Sequence, residues 1–111
     1  MSAKASDAII VFMTAANSED ARHIAETLVS VKLAACVQLL PHVESVYRWN
    51  DQVQRAGEVL LLAKTIQSRF ADLEREVRAI HPYEIPEILA VPATAVSQPY
   101  LKWLIEALQP A

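Results

Sequence analysis

Two long apolar runs separated by Asn50-Asp51 constrain this chain more than any other feature. Ala34 to Leu40 is strand-like, Pro41 interrupts it, and alternation resumes from Val43 to Trp49, with Val43, Tyr47 and Trp49 on one face and Glu44, Val46 and Arg48 on the other. A proline cannot donate to a ladder, so Pro41 marks an edge, a bulge or a bend. Asn and Asp both tolerate positive φ, which predicts a tight hairpin at Asn50-Asp51. The return strand carries Val59-Leu60-Leu61-Leu62-Ala63 and reaches Ile66. Strands of about 14 residues span roughly 45 Å, whereas a domain of this size has a radius of gyration of about 13 Å. The distal half of the hairpin therefore projects. It carries Val46, Tyr47, Trp49 and Val53, and apolar groups on a projecting arm point to a partner subunit.

The remaining elements follow from periodicity. Residues 1–7 are small and polar and read as a flexible lead-in to a single domain spanning 1–111. Ala8 to Thr14 is β-branched and predicts a strand buried on both faces. Asn17 caps a helix over residues 18–32, with Ala21, Ile24, Ala25 and Leu28 on its core stripe. Ser68 is placed to cap a second helix with Phe70, Leu73, Val77 and Ile80 inward, ended by Pro82. Glu87 to Ala95 reads as a fourth strand, with Pro92 arguing for an edge. Pro99 suits the first turn of a third helix bearing Leu101, Leu104, Ile105 and Leu108. The order β-α-β-β-α-β plus a terminal helix predicts an α+β, ferredoxin-like sandwich with an antiparallel sheet and both crossover helices on one face.

Composition narrows the function. Apolar residues make up 53% of the 111, enough for a core. Gly57 is the one glycine, so neither a dinucleotide fingerprint nor a phosphate-binding loop can be written. The net charge of −3 makes a nucleic-acid partner unexpected. The one cysteine, Cys36, fits a reducing, cytoplasmic compartment. No run reaches the roughly 18 apolar residues of a membrane span. The short apolar stretch near the N-terminus reads as the first strand rather than a leader.

His81-Pro82-Tyr83-Glu84-Ile85-Pro86-Glu87 is the densest functional-looking segment. Two prolines stiffen it, and His81 with Glu87 offers nitrogen and oxygen donors that suit copper or zinc. The competing reading is a rigid connector whose His81 caps the preceding helix in its charged form. Met13 ends the first strand and is either core filler or, in a cleft, a thioether ligand for cuprous copper. Lys64, just past a buried run, could meet an anion or Glu84, or reach to water. Trp49 and Trp103 read first as packing or interface anchors. No paired-cysteine spacing, nucleophile elbow or carboxylate pair is present, so no reaction is assignable.

These segments, taken in order, resemble one family. Lys32-Leu33-Ala34-Ala35-Cys36-Val37, Leu40-Pro41, Ser45-Val46-Tyr47-Arg48-Trp49, Glu58 through Thr65, His81 through Glu87 and Tyr100-Leu101-Lys102-Trp103 are similar to the CutA divalent-cation tolerance proteins, over about residues 8–108. The resemblance implies a ferredoxin-like fold and a stable homotrimer in which the long hairpin reaches neighbouring subunits. It implies a role in tolerance of copper and other divalent cations, with no reaction firmly assigned. In bacterial members the proposed copper ligands are a cysteine at the end of the first strand and histidines just before the proline of the His-Pro-Tyr block. Here Met13 stands at the first position and Ile80 precedes His81, so Met13, His81 and Glu87 make a weaker, softer site for copper or another divalent cation. The family's likeness to PII signalling proteins adds a small-molecule alternative. An anionic metabolite would sit between subunits, with Lys64, Tyr83, Glu84 and Trp49 as cleft candidates. An enzyme using Lys64, His81, Tyr83 and Glu84 for acid-base chemistry, and a structural anchoring scaffold, complete the alternatives.

Overall fold

The computed structural model describes residues 4–110. It contains strands β1 (Ala8–Ala15), β2 (Cys36–Trp49), β3 (Gln52–Ile66) and β4 (Ile88–Pro92), and helices α1 (Ser18–Ser30), α2 (Phe70–Ile80) and α3 (Gln98–Ala107). The strands form one antiparallel sheet in the order β2-β3-β1-β4. Of the expected lead-in, residues 1–3 lie outside the described residues. Ala5–Asp7 forms a single 3-10 turn, with the Lys4 amide donating to Asp7 Oδ2 at 2.8 Å.

Alternation along β1 and β3 builds the core. Ile9, Val11, Met13 and Ala15 share a buried cluster with Val59, Leu61 and Ala63, covered by Ile24 and Leu28 of α1 and by Leu73 and Val77 of α2. Both crossover helices thus lie on one sheet face. Ile10 and Phe12, on the opposite face, are only partly buried, so β1 is fully dry on one side rather than both. Asn17 caps α1 as expected, its Oδ1 accepting from the Asp20 amide at 2.8 Å. Ser68 does not cap α2. The chain leaves β3 through a 3-10 turn at Gln67–Arg69, and Arg69 becomes the N-cap without a side-chain bond. The Arg69 guanidinium instead donates to the Leu108 carbonyl at 2.8 Å, and Lys32 Nζ donates to the Gln109 carbonyl at 2.8 Å. Two basic side chains therefore hold the C-terminal, negative end of α3. Ser97 caps its other end, with Pro99 in the first turn. β4 is shorter than its apolar run and is an edge strand ending at Pro92.

The hairpin is as long as its sequence requires. β2 pairs with β3 from Cys36↔Lys64 to Leu40↔Leu60, and again from Val43↔Glu58 to Trp49↔Gln52. The shift between them falls on Pro41-His42, where Pro41 offers no donor and His42 takes φ 63°. Asn50 and Asp51 have φ 51° and 62°, the left-handed pair that a two-residue hairpin needs. β1 accompanies β3 only as far as Ala15↔Val59, so from Glu58 outward the hairpin is a two-stranded arm. The arm stretches the molecule to 48 × 28 × 23 Å, with a radius of gyration of 14.7 Å. Val46, Tyr47, Trp49 and Val53 on it are each between 44% and 66% exposed. No helix among the described residues is long and apolar enough to cross a membrane.

Candidate functional site

The root of the arm meets the connector between α2 and β4, and a cleft of about 520 Å³ opens between them. One wall is the arm, through Ser45, Val46, Tyr47, Trp49 and Glu58. The other is the connector, through Tyr83, Glu84, Ile85 and Glu87, with Thr14 at the end of β1 below. Each wall is placed by a local rule. Glu58 is where β3 loses its β1 neighbour, so its side chain stands at the border between sheet and arm. The connector is held by His81, which is 8% exposed. Its Nδ1 accepts from the Tyr83 amide at 3.0 Å, which puts the ring proton on Nε2, and Nε2 donates to the Thr14 carbonyl at 2.7 Å. His81 follows the last residue of α2, but its ring ties the connector to β1 rather than capping the helix carbonyls.

Tyr83 and Glu58 join the two walls. The Tyr83 hydroxyl donates to Glu58 Oε2 at 2.8 Å. Burial, the Glu58 hydrogen bond and the Glu58 charge together push the Tyr83 hydroxyl from its ordinary 10.0 up to about 12. Glu58 is only 9% exposed. No arginine, lysine or histidine lines the cleft among the described residues, and the Arg75–Asp72 ion pair at 2.9 Å lies on α2, away from it. A buried carboxylate with a neutral donor and no counter-charge is costly, and it favours any cation that can reach it.

The residues singled out in the sequence divide cleanly. Trp49, Tyr83, Glu84 and Glu87 line the cleft together. Lys64 does not; it lies six residues along β3 from Glu58, roughly 20 Å away at strand rise. Met13 has no exposed surface and belongs to the core between the sheet and the helices. His81 spends both ring nitrogens on the backbone. Of Met13, His81 and Glu87, Glu87 alone lines the cleft. No three His, Cys, Asp or Glu side chains among the described residues are grouped to hold a metal ion. A tightly held resident metal does not fit these residues. Sequence reasoning missed Glu58 and Tyr47 as cleft residues. A signal existed for Glu58: it is a charged residue directly abutting the buried run Val59–Ala63, and such a residue needs a partner.

Comparison with known proteins places this architecture. The family model described as CutA1 divalent ion tolerance protein matches residues 9–107. The Divalent-cation tolerance protein CutA of Thermus thermophilus is 44% identical over 97 residues, covering 87% of this chain and 94% of that protein. The chloroplastic CutA of Arabidopsis thaliana is 44% identical over 103 residues, which cover 93% of this chain but span only 57% of that longer protein. Among solved structures, CutA from Xylella fastidiosa superposes with a TM-score of 0.91 at 34% identity, covering 94% of this chain and all of that one. With that family match over nearly the whole chain and relatives at 44% identity, this chain belongs to the CutA divalent-ion tolerance family.

Proposed function

We propose that the chain acts in divalent-cation tolerance as a ferredoxin-like homotrimer, binding a cation in the cleft at the root of its arm. The strand order β2-β3-β1-β4, with α1 and α2 on one face, supports the ferredoxin-like reading. The apolar arm supports the assembly: an isolated two-stranded hairpin is marginal in water and gains stability by packing on something. The single-cysteine composition supports a cytoplasmic location. The observation that carries the cation reading is Glu58, a buried carboxylate with no basic side chain beside it in the cleft. The same absence of positive charge argues against an anionic metabolite there. Copper or another divalent cation entering the cleft would meet separate carboxylates rather than a closed ligand set, so the expected binding is weak and exchanging.

Calorimetric titration of copper(II) and zinc(II) into wild type, Glu58→Gln and His81→Ala tests this reading. We expect weak heats in the wild type that vanish in Glu58→Gln and persist in His81→Ala. Heats lost in a folded His81→Ala protein but kept in Glu58→Gln would move the site to the histidine and refute the cleft reading.

A further inference from the structure

We propose that His81 is a proton-operated latch for the connector between α2 and β4. The connector is seated while the ring is neutral and released when the ring takes up a second proton. Every contact involved lies inside one chain, and the readouts below need no bound cation. The inference therefore goes beyond the cation reading of the cleft and can fail separately from it.

The first observation is how little holds the connector. Among the described residues, Pro82 to Pro86 makes no backbone-to-backbone hydrogen bond outside helices and strands. Two bonds secure it, both through Tyr83. Its amide donates to His81 Nδ1 at 3.0 Å, and its hydroxyl donates to Glu58 Oε2 at 2.8 Å. The Tyr83 ring also lies against the His81 ring, with centroids 4.7 Å apart.

The second observation is the direction of the bonds at the ring. Nε2 donates to the Thr14 carbonyl at 2.7 Å while Nδ1 accepts. Only the neutral ring can do both, because an imidazolium carries a proton on each nitrogen and accepts nothing. A proton arriving from solvent at Nδ1 leaves the bond to β1 intact. It turns the Tyr83 bond into two N–H groups that face each other. The third observation is burial. His81 is 8% exposed, and opposed donors in such a corner cost free energy until one of them moves. The Tyr83 side can move, since no ladder holds it. Imidazole is the side chain that ordinarily changes its donor pattern between about pH 8 and 5.

The groups around the ring do not oppose this. Thr14 of β1 and the Val77 carbonyl of α2, which accepts from the His81 amide at 2.8 Å, are uncharged. The titratable groups facing the Tyr83 side of this corner are Glu58 of β3, Tyr47 of β2 and Asp20 of α1. None of these is a cation that would repel an imidazolium. Pro82 and Pro86 restrict the backbone between them, so the segment lifts as a unit. Release draws Tyr83 off Glu58 and shifts Glu84 and Ile85, which belong to one wall of the cleft.

The test is nuclear magnetic resonance of the full chain in its native assembly, with a chelator present, between about pH 8 and 5. The ring nitrogens of His81 should show the Nε2–H tautomer at the upper end and the doubly protonated ring at the lower end. The Tyr83 amide, measured as a hydrogen-exchange protection factor, should lose at least about tenfold in step with that change. The core amide of Leu61 should keep its protection throughout. His81→Asn and His81→Gln cannot charge, so in either one the Tyr83 protection factor should be flat over the same range. Glu58→Gln should retain the pH dependence. A His81 ring that stays neutral to about pH 5, or charges while Tyr83 stays protected, would overturn the proposal. So would equal losses at Leu61, or a pH dependence that survives in the His81 variants and disappears in Glu58→Gln.

Discussion

At the scale of single residues, the site turns on Glu58 and Tyr83. Both were visible in the sequence, but only Tyr83 stood out, because it sits in a segment stiffened by two prolines. Glu58 became meaningful only when β1 was seen to stop at Ala15↔Val59, leaving it at the border of the arm. That depends on where one strand outlasts another, which local periodicity does not encode. His81 shows the opposite case. Its residue type suggested a ligand, whereas the backbone around it uses both ring nitrogens to anchor the connector. Met13 was ambiguous between core and cleft until the alternation of β1 put it on the helix-covered face. The Tyr83–Glu58 pair carries a pH prediction. A hydroxyl held at about 12 in the folded protein against 10.0 ordinarily favours the folded state while it is protonated. Its contribution is fully present below about pH 10 and is lost as pH rises toward 12. In an ultraviolet titration of phenolate, Tyr83 should ionise near 12, and Glu58→Gln should bring its midpoint down. A Tyr83 midpoint unchanged in Glu58→Gln would mean that burial alone sets it. Tyr100 is also raised, by burial and by nearby Cys36, so Tyr83 is assigned by its absence in Tyr83→Phe.

At the scale of elements, the hairpin was the most legible part of the chain. Turn chemistry at Asn50-Asp51 and the interruption at Pro41 both appear where their residue types require. The positive-φ sites are filled by Lys32, His42, Asn50 and Asp51, while Gly57, the chain's one glycine, takes none of them. Each such residue carries some strain, least for Asn and Asp. Asp51→Gly should therefore stabilise the protein by a few tenths to about 1 kcal/mol, since the second position of this turn favours glycine. Urea unfolding would measure it, and a loss of stability would show that Asp51 makes contacts worth more than its strain. Element ends were less legible. α2 starts at Phe70 with no side-chain cap, because the 3-10 turn that lifts the chain off β3 consumes Ser68. β4 stops at Pro92, where its pairing with β1 ends at Ile9, although its apolar run continues.

At the scale of the whole molecule, the arm and the cleft are consequences of one fact: β2 and β3 are longer than the sheet that receives them. The core beneath the helices closes within the chain, whereas the arm's apolar side chains stay exposed. Val46, Tyr47, Trp49 and Val53 stand in the open on a two-stranded ribbon, and the sheet's outer face shows Leu40, Leu89 and Val91. The proposed self-association would cover such surface at little cost in chain entropy, because the arm is already ordered by its own ladder. The cleft lies at the arm's root, so what covers the arm also shapes the cleft's mouth. Multi-angle light scattering on the protein eluting from a sizing column at micromolar concentration tests this directly. The account predicts a mass three times the 12.3 kDa of one chain, falling toward the single-chain mass when Val46 and Val53 are both changed to Asp. A wild-type protein that elutes at the mass of one chain would contradict it.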